Sequence, residues 1–229
     1  MTATPSVIVF DVNETLSDMS PMGGRFEEVG APVELAKLWF ASLLRDGFAL
    51  AAAGSNQGFA AIGAAVLREL FARAELNRPL DDAVLHVMDG FGSLDVHSDV
   101  PDGIRSLADA GYRLVTLSNG SARIAGKLLD DAGIRESFEA LLSVEDAPAW
   151  KPARASYEYA ASRLGVEPGE MLLVAVHPWD IHGAARAGLR TAWLNRSGGG
   201  YPAHFEAPDI TVAALTELPS ALAPARGIL

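Results

Sequence analysis

Residues 7–15 read VIVFDVNET, a run of β-branched and aromatic side chains that stops at Asp11. Such a run predicts a strand that is buried on both faces, as in a parallel sheet. Asp11 would then stand at the carboxyl end of a central strand, where open α/β sheets bind their ligands. An aspartate in this place is also often a turn former or a helix cap. Its role therefore depends on what recurs further along the chain.

The composition is that of a folded globular protein and argues against polyanionic partners. The 229 residues, 49% of them hydrophobic, suffice for one large domain or for a main domain that carries a smaller one. A formal net charge of −11 disfavours nucleic acids and anionic membrane surfaces as partners. The absence of cysteine excludes disulfides, thiolate metal sites and a cysteine nucleophile. We find no signal sequence or membrane span, and we expect a cytoplasmic protein.

Residues 16–97 interrupt the alternation of strands and helices and contain no convincing strand. Their apolar residues recur at the spacing of amphipathic helices, which predicts a helical domain inserted after the first strand, where a lid commonly lies. The predicted pieces are a loop over 19–30 and helices over 33–45, 59–73 and 81–88, the last one capped by the tandem aspartates Asp81 and Asp82.

Strands and helices alternate again from about residue 98 to the end of the chain. This order predicts an α/β core of residues 1–15 and 98–229, with a doubly wound parallel sheet and right-handed crossovers. The predicted strands cover 112–117, 138–144, 171–176, 191–194 and 210–212, and the predicted helices cover 103–111, a segment around 124–129, 156–164 and a segment from about 181.

Polar side chains gather where the predicted strands end. Asp11 and Ser118-Asn119 directly follow strands, Asp180 comes shortly after another, and Lys151 lies in a loop. The carboxyl ends of parallel strands share one edge of the sheet, so we expect these side chains to lie together. Each of them has an ordinary alternative role as a turn former, a helix cap or a solvated surface residue.

Taken in order, these motifs resemble those of the haloacid dehalogenase superfamily over the whole chain. The matching residues are Asp11-x-Asn13-x-Thr15, Leu117-Ser118-Asn119-Gly120, Lys151-Pro152 and Asp180. The likeness is greatest to the type II 2-haloacid dehalogenases. The details typical of that group are Gly183-Ala184 shortly after Trp179-Asp180, Tyr157 six positions after Lys151, and the lack of a second aspartate two positions after Asp11, where Asn13 stands.

Asn13 separates two chemistries within this superfamily. The phosphatases need a second carboxyl at this place, which protonates the leaving alkoxide and later activates water. An amide cannot exchange a proton in this way. Halide is a weak base and leaves without protonation, so Asn13 favours a dehalogenase.

The resemblance implies a hydrolase that needs no metal or cofactor and converts short 2-haloalkanoic acids to 2-hydroxy acids. Asp11 would displace halide and form an ester, while Lys151 would keep Asp11 ionised and help to bind the anionic substrate. Thr15 would fix the rotamer of Asp11, and Asp180 would orient or deprotonate the hydrolytic water. The residues expected around the substrate are Ser118, Asn119, Asn13, His177, Trp179, Tyr157 and Phe59, with Tyr157 acting from behind Asp180.

The sequence departs from the dehalogenase pattern at several places. An arginine that receives the halide is expected on the first cap helix, where Ala41 stands, and neither Arg25 nor Arg45 matches its position. Asn13 replaces a tyrosine and Glu14 a glycine of the first motif. Ala175 and His177 replace a polar pair, and His177 is either a substitute hydrogen-bond donor or simply bonded into its loop.

Two other functions stay open at this stage. A Mg²⁺-dependent phosphatase would hold the ion with Asp11, the Asn13 carbonyl group and Asp180. A non-catalytic binding protein would keep the fold without turnover, as the missing arginine suggests. A homodimer is also possible, because the apolar helix faces of residues 16–97 could be covered by a second copy.

Overall fold

A six-stranded parallel sheet runs through the computed structural model, which describes residues 5–223. Its strands are β1 (Val7–Phe10), β2 (Arg113–Ser118), β3 (Ala140–Ser143), β4 (Met171–Ala175), β5 (Arg190–Leu194) and β6 (Ile210–Val212). They lie in the order β3-β2-β1-β4-β5-β6. This is the predicted doubly wound α/β fold, and β1 has neighbours on both sides, which explains why all of its residues are buried.

Helices cover both faces of this sheet. They are α5 (Val100–Asp109), α6 (Ala122–Asp131), α7 (Arg154–Leu164), α8 (Pro178–Ala187) and α9 (Leu218–Leu222). Successive side chains of a strand point to opposite faces. Val7 and Val9 accordingly pack in one core with residues of α7 and α8, whereas Ile8 and Phe10 pack in another with residues of α5, α6 and α9.

Residues 16–97 form four helices and no strand apart from one antiparallel bridge. The helices are α1 (Met22–Glu27), α2 (Leu35–Ala52), α3 (Phe59–Phe71) and α4 (Leu80–Phe91). They share a core around Trp39, whose ring lies 5.7 Å from that of Phe91 and whose Nε1 donates to the Gly63 carbonyl. The bridge joins Ser17 to Val96, so both connections to the sheet lie side by side. The domain boundaries predicted above stay a prediction, and residues 1–4 and 224–229 lie outside the described part.

Three local predictions are wrong. The segment 19–30 contains α1, because Met22 and Phe26, four positions apart, bury their side chains in the helical core. Asp81 and Asp82 do not cap α4 but lie in its first turn, after Pro79 as the N-cap residue. The helix expected from about residue 181 begins at Pro178, which suits the first turn of a helix because its missing N–H would have no partner there.

Trp150 connects the four helices to the sheet. Its ring stacks on Phe59 at 6.0 Å, and its Nε1 donates to the Gln57 carbonyl at 3.0 Å. Gly47, in the middle of α2, faces this ring, and a Cβ atom at that position would collide with it. A mid-helix glycine costs about 1 kcal/mol relative to alanine, and here the contact with Trp150 requires it. None of the helices in the described residues is long and apolar enough to cross a membrane.

Candidate active site

Lys151 lies between two aspartates at the carboxyl edge of the sheet. Its Nζ donates to Asp11 Oδ1 at 2.9 Å and to Asp180 Oδ2 at 2.6 Å. The side chains of Lys151 and Asp180 are fully buried, and that of Asp11 is 4% exposed. The expectation that these residues lie together is confirmed, and the solvated alternative for Lys151 is wrong. A buried ammonium group of this kind is retained only when it is paired.

The charges of Asp11, Lys151 and Asp180 shift one another's pKa values. Burial opposes the charge of Lys151, but the charges of Asp11 and Asp180 raise its pKa above the usual value. Burial also opposes ionisation of Asp11, yet the charges of Lys151 and His177 and the Thr15 hydrogen bond lower its pKa. For Asp180 burial outweighs the attraction of Lys151, and repulsion from Asp11 adds to it, so its pKa is raised. Two carboxyl groups whose pKa values are driven apart are suited to different roles.

The turn after β1 orients the side chain of Asp11. The Thr15 hydroxyl group donates to Asp11 Oδ2 at 2.6 Å and accepts from the Val176 backbone N–H at 3.1 Å. Glu14, at φ 61°, adopts the left-handed conformation that glycine accepts freely. The resembled pattern has a glycine here, so this chain keeps the turn geometry with a less suitable residue. The contact between Thr15 and Asp11 that the resemblance implies is therefore present, and its role in the reaction stays a prediction.

Tyr157 and Asn119 position the charged side chains from behind. The Tyr157 hydroxyl group donates to Asp180 Oδ1 at 2.6 Å, and burial together with Asp180 raises its pKa well above the usual value, which keeps it protonated. Asp180 lies in the first turn of α8, and His177 is the N-cap residue, so the cap alternative for Asp180 is wrong. The Asn119 side chain accepts from the Lys151 N–H and donates to the Lys151 carbonyl. Its contact with substrate stays a prediction.

A small pocket lies at the N-terminus of α6. Asn13, Phe59, Ser118 and Ser121 are among its lining residues, and its volume is about 30 Å³. The Ser118 Oγ accepts from the Gly120 N–H at 2.9 Å, which leaves its own proton available to an anion. Helix N-termini favour anions because their first N–H groups lack helical partners.

His177 stands beside Asp11 on another side. Its Nε2 donates to the Asn13 carbonyl at 3.1 Å and lies 3.7 Å from both Asp11 Oδ2 and Glu14 Oε2. Its ring stacks on Trp179 at 4.9 Å and lies 6.2 Å from that of Phe40 on α2. Both alternatives for His177 therefore hold together: it is bonded into its loop and it adjoins the carboxylate.

A cleft of about 940 Å³ opens between α2 and the sheet edge. His177, Glu14, Phe40 and Ala41 are among its lining residues. Ala41 is exposed there, where the resembled pattern has an arginine. The two arginines considered above do not replace it, because Arg25 and Arg45 form exposed ion pairs on the helical segment, with Glu28 and Asp46 respectively.

Sequence reasoning missed Arg196 and the residues around it. Arg196 Nη2 donates to the Thr15 carbonyl at 3.0 Å, and its Nη1 donates to Asp99 Oδ1 at 2.8 Å. Asp99 also accepts from the Leu215 N–H, and His97 donates to the Glu14 carbonyl at 3.0 Å. These residues hold the turn after β1 from outside, and no motif marks them in the sequence.

The described residues contain no group of three or more histidine, aspartate or glutamate side chains that could hold a metal ion. The three groups considered for Mg²⁺ have other partners. Asp11 and Asp180 share the Lys151 ammonium group, and the Asn13 carbonyl accepts from His177. The donor set therefore does not fit a metal-dependent phosphatase.

The comparisons with known proteins agree with this geometry. Residues 5–188 match the family of haloacid dehalogenase-like hydrolases, and the chain belongs to this family. It is 32% identical to an (S)-2-haloacid dehalogenase of Pseudomonas sp. (strain YL), with 91% of this chain and 90% of that protein covered. It is 30% identical to (S)-2-haloacid dehalogenase 2 of Pseudomonas sp. (strain CBS-3), with 94% of each covered.

Solved structures show the same fold. A dehalogenase crystallised with an intermediate complex superposes with a TM-score of 0.89 at 26% identity, over 98% of this chain and 100% of that one. An L-2-haloacid dehalogenase also superposes with a TM-score of 0.89 at 26% identity, over 96% and 99% of the two chains. The predicted superfamily and fold class are thereby confirmed.

Proposed function

We propose that this protein hydrolyses 2-haloacids to 2-hydroxy acids through a covalent ester on Asp11. The observation that carries the proposal is the buried row Asp11–Lys151–Asp180 together with an amide, Asn13, where a phosphatase needs a second acid. The names of the similar proteins support the same substrate class.

The first step is a displacement at C2. An oxygen of ionised Asp11 forms a bond to C2 as the carbon–halogen bond breaks, and halide leaves with the bonding electrons. Lys151 keeps Asp11 ionised, and Thr15 holds its orientation. The substrate carboxylate would bind the Ser118 hydroxyl group and the N-terminus of α6.

The second step is ester hydrolysis. Water attacks the carbonyl carbon of the ester and transfers a proton to Asp180, whose raised pKa suits it to accept one. The bond between the carbonyl carbon and the product oxygen then breaks, the product oxygen takes up the second proton of the attacking water, and the 2-hydroxy acid is released. Asp11 is restored with one oxygen from water, and Asp180 returns its proton to solvent.

The remaining assignments belong to the same proposal. The helices of residues 16–97 act as a cap over the sheet edge, and Phe59 and Trp179 form walls of the substrate site. The partner is a small anionic haloacid. The expectations of a cytoplasmic location, of a possible homodimer and of no nucleic-acid partner stay predictions.

The test is halide release from 2-chloropropionate by the purified protein, measured beside phosphate release from a generic phosphate ester, each with and without EDTA. We expect halide release that survives EDTA. Asp11→Asn should abolish it with the fold intact, whereas Asp131→Asn, an exposed carboxylate on α6, should not change it. Phosphate release that requires Mg²⁺ would overturn the proposal, as would silence in both assays.

A single turnover in H₂¹⁸O tests the covalent route. Label should enter the Asp11 side chain before it reaches product, and mass spectrometry of the peptide that contains Asp11 detects it. If ¹⁸O goes directly into the product, water attacks C2 itself and Asp11 is not the nucleophile.

A further inference from the structure

Three of the residues that depart from the dehalogenase pattern lie together on one side of Asp11. Glu14, Ala41 and His177 all line the 940 Å³ cleft. His177 Nε2 donates to the Asn13 carbonyl and lies 3.7 Å from Glu14 Oε2. Lys151 and Asp180, which match the pattern, are buried away from the cleft. The altered positions therefore form a surface next to the nucleophile.

The cleft reaches the nucleophile through His177. The imidazole ring is 11% exposed, and its Nε2 lies 3.7 Å from Asp11 Oδ2. Phe40 and Trp179 flank the ring, and Phe40 also lines the cleft. A group attached to a carbon at Asp11 would therefore pass along His177 into this space.

The walls of the cleft are apolar, and charges of both signs stand around them. Its apolar lining includes Met19, Met22, Val33, Phe40, Leu44 and Trp193. Its charged lining consists of Glu14, Asp18, Glu34, Lys37 and Arg196. Because three acidic residues stand against two basic ones, the cleft offers an anion no net attraction, and its apolar walls favour an uncharged apolar occupant.

The volume exceeds what a three-carbon haloacid fills. Ligand sites of roughly 300–1,000 Å³ commonly enclose drug-sized molecules, and this cleft of 940 Å³ is at the upper end of that range. The side chain of an arginine at position 41 would project into this space from α2. Ala41 leaves it open.

Resting on the proposed function, we propose that the cleft binds the C2 substituent of the substrate. That substituent is apolar and longer than a methyl group, such as an alkyl chain or an aryl ring. The favoured substrates are then 2-haloacids with extended side chains, and Ala41 sets the length that the site accepts.

The experiment compares kcat/KM for unbranched 2-bromoalkanoates from 2-bromopropionate to 2-bromooctanoate. Burial of each methylene group raises the value by up to about fourfold, so 2-bromohexanoate should exceed 2-bromopropionate by roughly tenfold or more. As a measurement independent of turnover, 2-hydroxyhexanoate should inhibit about tenfold more strongly than lactate.

The substitution Ala41→Trp tests where the alkyl chain of the substrate lies. Filling the cleft should lower the ratio of the 2-bromohexanoate value to the 2-bromopropionate value by about tenfold. Ala65→Trp, at an exposed alanine of α3 outside the cleft, should leave this ratio unchanged. Circular dichroism and thermal unfolding establish that each variant is folded.

The outcomes separate this inference from the proposed function. If 2-bromopropionate is turned over and longer substrates and inhibitors gain nothing, the inference is wrong and the proposed function stands. If Ala41→Trp is folded and the ratio of the two kcat/KM values does not fall, the alkyl chain of the substrate lies elsewhere and the inference is likewise wrong. If no 2-bromoacid is turned over, the proposed function fails first and the inference fails with it.

Discussion

The sheet edge around Asp11 and the cleft, which His177 separates from Asp11, differ in almost every physical respect. On the sheet edge, Lys151 and Asp180 are fully buried and joined by short charged hydrogen bonds. In the cleft, Ala41 is exposed, and much of the lining is apolar. The sheet edge keeps the charged residues of the dehalogenase pattern, Asp11, Lys151 and Asp180, whereas the cleft contains Glu14, Ala41 and His177, which depart from it.

This difference follows from what each region can tolerate. A buried charge that loses its partner is strongly destabilising, so a change at the sheet edge threatens fold and chemistry together. A change at an exposed wall alters which molecule fits and costs little stability. We therefore expect the sheet edge to determine the reaction type and the cleft to determine substrate preference.

The largest effect is expected from Lys151→Met. If this substitution had no effect, the distinction drawn between the sheet edge and the cleft would be wrong. Removing the ammonium group leaves two buried carboxylates without their shared partner and should lower the free energy of unfolding by about 3–5 kcal/mol. Activity should fall by about 10³-fold or more. Urea unfolding and halide release measure the two effects.

The control is Lys127→Met, because Lys127 pairs with Asp131 on the exposed face of α6. We expect no measurable change in stability or activity from this substitution. Equal effects of the two variants would show that burial of Lys151 is not what makes it important.

Asp180→Asn should lower steady-state turnover by about 10²-fold. The displacement at C2 does not use Asp180 as a base, so one equivalent of halide should still be released before turnover stalls. Rapid-quench measurement of halide, with mass spectrometry of the esterified Asp11 peptide, detects this burst. Loss of the burst as well would assign Asp180 to the first step.

The pH dependence of the wild-type enzyme should also separate halide displacement from ester hydrolysis. Because the pKa of Asp180 is raised and that of Asp11 is lowered, falling pH protonates Asp180 first. Ester hydrolysis should therefore fail at a higher pH than halide displacement. Burst amplitude and steady-state rate, recorded together on an acid titration, compare the two steps.

A smaller effect is expected from Arg196→Met, in the wall between the two regions. Arg196 donates to the Thr15 carbonyl and to Asp99 and has no hydrogen bond to Asp11, so it acts on Asp11 as a positioning residue. Loss of this tether should reduce kcat by about tenfold, which corresponds to roughly 1.4 kcal/mol, with KM little changed. Arg196→Lys should restore part of kcat, and Arg105→Met, an exposed arginine on α5, should have no effect. A change in KM alone would contradict this role.

Much of the sheet edge could be predicted from the sequence. Strands buried on both faces read as apolar runs. Asp11 directly follows β1, Ser118 ends β2, and Asp180 lies in the first turn of the helix after β4. The carboxyl ends of parallel strands then bring these residues to one edge, although they are far apart in the chain. Lys151 follows no strand directly, and the resemblance was needed to place it.

The rest depends on tertiary packing, which local sequence patterns do not report. The helix α1 is short and rich in glycine, and the burial of Met22 and Phe26 against the other helices stabilises it. Arg196 and Asp99 meet only because β5 ends and α5 begins near the turn after β1. The cleft likewise exists only between elements, so no single stretch of sequence indicates it.

The contact between Gly47 and Trp150 couples the position of α2 to that of Lys151. The indole ring is wedged against α2 and α3, and a single peptide link separates it from Lys151. A displacement of α2 that admits a bulkier molecule would pull on the indole and shift the ammonium group relative to its aspartates. Enlarging the ligand range of such a scaffold therefore calls for trimming side chains on the cleft wall while α2 itself stays in place.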